Sequence, residues 1–272
     1  MPDLYAVIGN PVSHSKSPQI HAEFARQTGQ DLVYEALLAP TARFVATASA
    51  FRARGGRGLN VTLPFKGEAF RFADQLSERA RAAQAVNTLR FESSAIFGDN
   101  TDGAGLVSDI VRNLGSAVAG RRILLLGAGG AARGVLEPLL EQRPAQLVLA
   151  NRTPEKAQLL AQNSSGGLEV CAYAALAGRQ FDVVVNATSA SLVGALPLLP
   201  PGVFARGALA YDMMYGRGET PFLAFARGEG ATVLADGLGM LVEQAAESFS
   251  IWRGVRPDTA PILKLLRQAT DV

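Results

Sequence analysis

The sequence is poor in the residues that bind metals or crosslink small proteins. Its 272 residues include one cysteine, Cys171, and two histidines, His14 and His21. One thiol cannot form a disulfide within the chain, and a zinc site built from cysteine needs several thiolates. The first segment contains Asp3 and has no cationic patch before a long apolar run, so it does not resemble a signal peptide. We therefore expect a cytoplasmic protein without a metal site.

The sequence also lacks long apolar runs and an excess of either charge. No stretch approaches the roughly 20 unbroken apolar residues of a membrane helix. The 26 lysines and arginines nearly balance the 24 acidic residues, which does not indicate a broad nucleic-acid surface. With 48% hydrophobic residues, the composition is typical of a compact protein with a sizeable core. We expect a small-molecule substrate, neither nucleic acid nor membrane as a partner, and a monomer or homodimer.

Short apolar runs alternate with helical patterns through the first part of the chain. Strands that alternate with helices are typical of a parallel sheet covered by helices. We therefore expect a first α/β domain at 1–102 with a mostly parallel sheet. Its strands are predicted at 5–8, 33–38 and 59–62, and its helices at 18–27, 42–51 and 65–73.

A second α/β series follows the polar turn at 98–103. Its strands are predicted at 123–126, 147–150, 168–172, 183–185, 209–212 and 232–234. Six strands with helical crossovers fit a doubly wound Rossmann sheet, in which the fourth strand lies beside the first. We assign 103–239 to this domain. The later helices are expected to pack back on the first domain, which adds 240–272 to it.

A glycine-rich turn joins the first strand of the second domain to the following helix. Gly127, Gly129 and Ala132 match G-x-G-x-x-A, in which small residues permit a tight turn and a close backbone approach to a pyrophosphate. Glycine turns also serve as simple connections. The strand before this turn and the helix after it favour a dinucleotide site.

The residues after the next strand indicate which dinucleotide binds. An acidic residue there holds a ribose 2′-hydroxyl, whereas this chain has Asn151, Arg152 and Thr153. An arginine fork suits the 2′-phosphate of NADP, which we expect as the cofactor, although an arginine past a strand is often merely solvated. The fourth strand ends in the polar segment 186–189, which either leaves room for the nicotinamide or marks a simple turn.

Hydroxyl residues cluster before the first predicted helix. Ser17 is a fair N-cap and Pro18 a good first helical residue, and hydroxyls beside a helix N-terminus suit a carboxylate. A capping role explains Ser17 equally well, but it does not explain Ser15. His14, in the same segment, is expected on the surface rather than as a ligand.

Lys66 follows the polar end of a predicted strand, and the residues around it are mostly apolar. A lone lysine is usually a solvated residue. Asp102 changes this interpretation, because it lies at the predicted domain junction and is expected to face Lys66 across the cleft. A carboxylate within hydrogen-bond reach would orient the ammonium for acid-base chemistry.

Short motifs extend in order over nearly the whole chain. They are GNP at 9–11, SKSP at 15–18, NVTLPFK at 60–66, AVNT at 85–88, DNTDG at 99–103, GAGGA at 127–131, NRT at 151–153, NATS at 186–189, YDM at 211–213 and LVEQA at 241–245. Together they closely resemble the shikimate dehydrogenase family. Any one motif would be modest evidence, whereas all of them in register are highly specific.

The resemblance implies reduction of 3-dehydroshikimate to shikimate by NADPH in the cytoplasm, a step towards chorismate and the aromatic amino acids. It implies that Lys66 and Asp102 are the catalytic pair and that Lys66 exchanges the proton at the reacting oxygen. The implied substrate-binding residues are Ser15, Ser17, Thr62, Lys66, Asn87, Asp102, Tyr215 and Gln244. The implied NADP-binding residues are Gly127, Ala128, Gly129, Gly130, Ala131, Asn151, Arg152, Thr153, Thr188, Met213 and Gly237.

The sequence departs from the family pattern at one position, and three alternative functions stay open. The family usually has a glycine two residues after the NATS motif, where this chain has Ser191. Arg152 argues against a quinate/shikimate dehydrogenase that prefers NAD. Quinate differs too little from shikimate, however, for the sequence to exclude it as a substrate. A non-catalytic paralogue that binds the ring acid would be expected to lose Lys66 or Asp102. A folate-linked dehydrogenase also pairs a lysine with a nucleotide-binding domain, but the serine hydroxyls fit a small carboxylate better.

Overall fold

The chain forms two compact units. The computed structural model describes residues 1–162, 164, 166–188, 190, 195–216 and 218–270. The first unit comprises Met1–Gly105 and Val242–Ile262, and the second comprises Leu106–Leu241 and the chain from Leu263 onward. The first stretch of the first unit thus ends close to residue 102, where the sequence predicts the domain boundary.

The first unit contains a six-stranded sheet and its covering helices. The strands are β1 (Asp3–Gly9), β2 (Leu32–Leu38), β3 (Gly56–Val61), β4 (Gln75–Leu76), β5 (Thr88–Phe91) and β6 (Ile96–Asp99). The helices are α1 (Ser17–Thr28), α2 (Phe44–Ala53), α3 (Lys66–Phe72) and α4 (Glu78–Ala83).

The strand order of this sheet is β2-β1-β3-β5-β6-β4. β1 is parallel to β2 and β3, and β4 is parallel to β6, whereas β5 runs antiparallel to both β3 and β6. The mostly parallel sheet is therefore confirmed. The sequence did not predict β4, β5 and β6, because they are short and β5 and β6 form a hairpin closed by a bond from Glu92 N to Ala95 O at 2.9 Å.

An apolar cluster fixes the start of α3. Phe65 is fully buried and its ring stacks on Phe44 of α2 with centroids 5.5 Å apart. Ile8 of β1 and Leu59 of β3 belong to the same cluster. Burying an aliphatic or aromatic side chain of this kind contributes about 1.5–3 kcal/mol. The residue after Phe65 is therefore held at a defined position on the sheet.

The second unit contains a six-stranded parallel sheet. Its strands are β7 (Arg122–Leu126), β8 (Gln146–Ala150), β9 (Leu168–Cys171), β10 (Phe181–Asn186), β11 (Phe204–Asp212) and β12 (Val233–Asp236). The remaining α-helices of the two units are α5 (Asp102–Ser108), α6 (Gly130–Glu141), α7 (Pro154–Ala161), α8 (Pro221–Gly228), α9 (Leu238–Arg253) and α10 (Ala260–Thr270), with a π-helix at Asp109–Asn113 and a 3-10 helix at Tyr173–Leu176. In the described part of the chain, no helix is long and apolar enough to cross a membrane.

The second sheet is doubly wound. Its order is β12-β11-β10-β7-β8-β9, so the fourth strand lies beside the first, as the sequence predicts. Side chains of β7 alternate between two apolar clusters, with Ile123 and Leu125 in one and Leu124 and Leu126 in the other. A strand covered on both faces needs this continuous apolar run, which made it recognisable in the sequence.

The last helix differs from its predicted placement. The sequence assigns 240–272 to the first domain, but the chain from Leu263 onward groups with the second unit. Arg267 of α10 lies 3.8 Å from Asp236 at the end of β12. The amphipathic pattern of α10 predicts that one of its faces is buried, but it does not indicate which domain covers that face.

His21 on α1 is buried among aromatic rings of the first unit. It is 1% exposed, and its ring lies 4.2 Å from the nearly parallel ring of Tyr34. Neither ring nitrogen makes a hydrogen bond to a described residue. Burial lowers the pKa of His21 from 6.5 to about 3, against a smaller opposing contribution from Asn60. His14, by contrast, is exposed, as the sequence predicts.

We expect His21 to destabilise the protein progressively below pH 6.5. Between pH 6.5 and about 3 the unfolded chain protonates this histidine while the folded protein does not. The stability of the folded state therefore falls as the pH falls, by up to about 1.4 kcal/mol per pH unit from this group alone. Urea unfolding of the wild type and His21→Phe from pH 7 to pH 4 measures the difference.

The variant should lose stability less steeply with acid than the wild type. His14→Gln is the matched control, because it replaces the other, exposed histidine. Parallel pH profiles for the wild type and His21→Phe would contradict a neutral buried imidazole.

Candidate active site

Lys66 and Asp102 form an ion pair within the first unit. Lys66 Nζ donates a hydrogen bond to Asp102 Oδ2 at 2.6 Å. Lys66 begins α3, directly after the buried Phe65, and Asp102 begins α5. Both residues lie within the predicted first domain, 1–102, and the structure pairs them inside the first unit. The hairpin of β5 and β6, which the sequence did not predict, lies between β3 and β4 in the first sheet and precedes Asp102 in the chain.

The two charged groups differ in their exposure. The side chain of Asp102 is 4% exposed, whereas that of Lys66 is 29% exposed. The second carboxylate oxygen of Asp102, Oδ1, accepts a hydrogen bond from Asn87 Nδ2 at 2.8 Å. A buried carboxylate with one donor on each oxygen is held in a single orientation. Lys66 is therefore the more accessible member of the pair.

Asn87 also connects Asp102 to α9. Its Nδ2 donates to Gln244 Oε1 at 3.2 Å. Among the described residues, Gln244 Nε2 has no hydrogen-bond partner. The amide of Gln244 therefore has its oxygen engaged and its nitrogen available as a donor. The structure thus brings together four predicted site residues, namely Lys66, Asn87, Asp102 and Gln244.

A polar cluster that the sequence did not predict lies behind Asn87. Its members contact Asn87 or one another and are Asn60, Thr88, Thr101 and Ser248. Asn60, Thr88 and Thr101 stand inside motifs without an assigned role. Ser248 lies one helical turn after Gln244, and this spacing is the one sequence signal that places both on the same face of α9.

A charged contact anchors the end of β6 shortly before Asp102. Arg79 Nε and Nη2 donate to the two oxygens of Asp99 at 2.7 and 2.8 Å. Ser77 Oγ and the backbone N–H of Asn100 also donate to Asp99. Burial alone would raise the pKa of Asp99, but the hydrogen bonds and charge of Arg79 lower it below its usual value. This anion stabilises the turn that leads to Asp102.

The predicted carboxylate-binding hydroxyls lie on the loops before α1 and after β3. Ser15 Oγ accepts a hydrogen bond from the backbone N–H of Ser17 at 3.2 Å. Ser17 is the first residue of α1 and Lys16 takes the N-cap position predicted for Ser17. Pro18 therefore occupies the second helical position. A backbone N–H at that position would also lack an intrahelical partner, so the helix tolerates proline there. Thr62 directly follows β3 and is half-buried.

Ser17 also approaches the cluster behind Asn87. Burial raises the pKa of Tyr34 well above its usual value, and a hydrogen bond with Ser17 opposes that shift. The Tyr34 hydroxyl donates to Asn60 Oδ1 at 2.7 Å. Within the described part of the chain, no hydrogen bond joins Ser15 or Thr62 directly to Lys66.

The glycine turn of the second unit has the geometry of a phosphate cradle. Gly127 has a φ of 103°, which other residues rarely adopt, and a Cβ there would lie 3.1 Å from Thr188 Cγ2. A Cβ at Gly129 or Gly130 would meet no heavy atom within 4 Å, so the space above the turn is open. No side chain caps the first N–H groups of α6. Uncapped N–H groups facing open space fit a pyrophosphate.

The segment after β8 provides polar groups without a carboxylate. Asn151 Nδ2 donates to the backbone oxygen of Thr153 at 2.8 Å, which fixes the turn before α7. Arg152 is exposed. Its charge partly opposes the rise that burial causes in the pKa of Tyr173. The guanidinium is therefore accessible at the carboxyl end of the sheet, where doubly wound folds bind nucleotides.

The other predicted cofactor residues follow β10, β11 and β12. Thr188 Oγ1 donates to Asn186 Oδ1 at 2.7 Å. A Cβ at Gly237 would lie 2.2 Å from the backbone oxygen of Met213, so a larger residue does not fit there. Tyr215 belongs to the second unit and is 37% exposed. Ser189 and Ser191, whose segment departs from the family pattern, lie outside the described residues.

Three family models match successive parts of this chain. The shikimate dehydrogenase substrate binding domain matches 7–89, shikimate / quinate 5-dehydrogenase matches 109–194, and the shikimate 5′-dehydrogenase C-terminal domain matches 237–267. A relative from Nitrosospira multiformis named Shikimate dehydrogenase (NADP(+)) is 64% identical over 271 residues, which are 99% of this chain and 98% of the relative. The chain belongs to the shikimate dehydrogenase family.

Solved structures in and near the shikimate dehydrogenase family share this fold. An Ael1 enzyme from Pseudomonas putida is 52% identical, with a TM-score of 0.92 over 97% of this chain and 98% of that one. Shikimate 5-dehydrogenase from Thermus thermophilus, solved with NADP(H) and shikimate, is 34% identical, with a TM-score of 0.87 over 98% and 99% of the two chains. The predicted family and the prediction of two α/β domains are confirmed.

Gly127→Ala should destabilise the protein, whereas Gly129→Ala should not. Forcing an alanine into the positive φ of Gly127 costs about 1–3 kcal/mol, and its methyl group would press on Thr188. Gly129 has a φ of −87° and open space around its Cβ position, so its change should stay within about 0.5 kcal/mol. Denaturant unfolding of both variants checks this, and equal losses would contradict the geometry of the turn.

Proposed function

We propose that this protein catalyses the reversible NADPH-dependent reduction of 3-dehydroshikimate to shikimate, a step in the synthesis of chorismate and the aromatic amino acids. The observation that carries this proposal is the Lys66–Asp102 pair, in which a buried carboxylate orients a partly exposed ammonium. A protein that only binds the ring acid has no need of such a pair. Relatives named Shikimate dehydrogenase (NADP(+)) support the same reaction.

The first unit binds the substrate in this proposal, and the second binds NADP. Shikimate offers one carboxylate and several hydroxyls. Ser15 and Ser17 beside the start of α1 donate to the carboxylate. Gln244 has its oxygen engaged by Asn87, so its Nε2 donates to a ring oxygen. The remaining contacts from this unit to the ring come from Thr62, Lys66, Asn87 and Asp102.

Lys66 handles the proton at the reacting oxygen. When bound, NADPH supplies the hydride that reduces the carbonyl carbon. The ammonium of Lys66 stabilises the negative charge that grows on the oxygen and then transfers a proton to it. The products are an alcohol and a neutral amine. Because 29% of the Lys66 side chain is exposed, water can return the lost proton.

Asp102 and Asn87 keep Lys66 aligned with the substrate oxygen. Asp102 Oδ2 holds the ammonium, while Oδ1 is held by Asn87. Both oxygens are thus engaged before substrate arrives, so little reorganisation is needed during the reaction. Alignment of reacting groups of this kind can contribute about 7–11 kcal/mol to lowering a barrier.

The second unit holds the cofactor by backbone and side-chain groups. The pyrophosphate lies on the turn from Gly127 to Ala131, against the uncapped start of α6. Arg152, with Asn151 and Thr153, binds the 2′-phosphate, which favours NADP over NAD. The residues at the nicotinamide half are Thr188, Met213 and Gly237.

We further propose that the enzyme works in the cytoplasm, as a monomer or a homodimer. The single cysteine is half-buried and unpaired among the described residues, which fits a reducing compartment.

Nicotinamide reduction measured with shikimate or quinate, each with NADP or NAD, tests the substrate and the cofactor together. We expect the highest kcat/KM with shikimate and NADP. Arg152→Ala should raise the KM for NADP about tenfold or more, because one charge-assisted contact is lost, and should change the KM for NAD much less. Arg121→Ala is the matched control, since Arg121 is exposed and directly precedes β7, at the end of the strands opposite to Arg152.

A preference for quinate with NAD would replace the proposed function by the quinate/shikimate dehydrogenase alternative. No turnover with any pair would favour the non-catalytic alternative. Equal effects of Arg152→Ala on both cofactors would remove the 2′-phosphate role from Arg152.

Lys66→Ala should remove turnover while largely preserving shikimate binding. General acid-base groups contribute about 10²–10⁴-fold to rate, so kcat should fall by that factor. The Kd for shikimate should change less than about fivefold, because other residues hold the ring. Steady-state kinetics and calorimetric titration measure the two quantities. Lys264→Ala on α10 is the control, since this lysine is exposed. Near-normal turnover of Lys66→Ala would remove Lys66 from the mechanism.

A further inference from the structure

Two fully buried hydroxyl residues lie behind the amide of Asn87. Thr88 at the start of β5 and Ser248 on α9 are both 0% exposed. Their hydroxyl oxygens are 2.7 Å apart. Neither residue contacts Lys66, and burial keeps both away from any ligand. Their position next to Asn87 therefore needs an explanation other than substrate binding.

A continuous series of hydrogen bonds leads through this cluster to Asp102. The Tyr34 hydroxyl donates to Asn60 Oδ1 at 2.7 Å, and Asn60 Nδ2 donates to Ser248 Oγ at 2.9 Å. The Thr88 hydroxyl donates to Asn87 Oδ1 at 2.9 Å. Ser248 Oγ lies 2.7 Å from Thr88 Oγ1 and is also within donor distance, 3.0 Å, of the backbone oxygen of Gln244. Asn87 Nδ2 then donates to Asp102 Oδ1 at 2.8 Å. Every hydroxyl and amide in this order has an acceptor for its hydrogen.

The orientation of the Asn87 amide decides whether Asp102 keeps a donor. The backbone N–H of Thr101 also donates to Asn87 Oδ1, at 2.8 Å. Both groups require an oxygen at that end of the amide. If the amide turned over, its oxygen would face the carboxylate of Asp102, acceptor against acceptor, where Asn87 and Asp102 are only 4% and 3% exposed.

We propose that Thr88 and Ser248 are positioning residues, which keep the Asn87 nitrogen towards Asp102 and so keep Asp102 directed at Lys66. The proposal rests on the proposed function for its effect on the reaction. Its structural part, the fixed amide of Asn87, stands apart from that function and can be measured separately.

Thr88→Val and Thr88→Ser form the decisive pair of variants. Valine keeps the shape of threonine and removes the hydroxyl, whereas serine keeps the hydroxyl and removes the methyl group. Ser248→Ala removes the hydroxyl of α9 that contacts Thr88. Thr28→Val is the matched control, because the Thr28 hydroxyl only donates to Phe24 O at 2.7 Å at the end of α1.

The first readout is hydrogen exchange of the Asn87 side-chain amide, followed by nuclear magnetic resonance. It does not depend on enzymatic activity. We expect Thr88→Val and Ser248→Ala to accelerate exchange about fivefold or more, as the loss of one net hydrogen bond implies, and Thr88→Ser to stay close to the wild type. Unchanged exchange in Thr88→Val would overturn the proposal even if the enzyme reduces no shikimate.

The second readout is the kinetics of shikimate oxidation by NADP. In Thr88→Val, kcat/KM for shikimate should fall about fivefold or more while the KM for NADP changes less than twofold, and Thr88→Ser should restore most of the loss. An equal loss in Thr88→Ser and Thr88→Val would show that the methyl group matters rather than the hydroxyl, and would overturn the proposal. An inactive wild type would refute the proposed function alone, since the exchange measurement still decides the positioning role.

Discussion

The buried carboxylate of Asp102 is the constraint on which the candidate active site depends. A charge that is almost removed from water needs donors on its oxygens, and breaking such a buried pair typically costs about 3–5 kcal/mol. Lys66 and Asn87 supply one donor to each oxygen. The surrounding structure keeps these donors in place, because burial of Phe65 fixes the start of α3 and the ion pair of Asp99 with Arg79 fixes the end of β6. The partly exposed ammonium is therefore held where a ligand can reach it.

The second unit depends on a different constraint, the close approach of backbone to neighbouring protein atoms. Gly127 adopts a positive φ beside Thr188, and Gly237 packs directly against the Met213 backbone. The absence of a side chain at Gly129 and Gly130 leaves the start of α6 open and uncapped. The two units thus offer different chemistry. The first concentrates charged and hydroxyl side chains, whereas the second offers backbone N–H groups and the accessible guanidinium of Arg152.

The sequence predicted the parts of the fold that repeat a simple pattern. Continuous apolar strands such as β7 and the glycine turn after it were recognisable, because a strand buried on both faces and a tight phosphate turn each restrict residue type. The hairpin of β5 and β6 was missed, because its strands contain only four residues each. Thr88 and Ser248 were also missed, since a buried hydroxyl in a strand or helix has no sequence pattern of its own until its partners are known.

The most direct test of the central claim is a crystal structure of the wild-type enzyme with shikimate. We predict that Lys66 Nζ and Asp102 both lie within about 2.6–3.2 Å of the hydroxyl that is oxidised, with Asn87 still donating to Asp102. Shikimate bound at another face of the first unit, or a Lys66 side chain turned away from both Asp102 and the ring, would contradict the account.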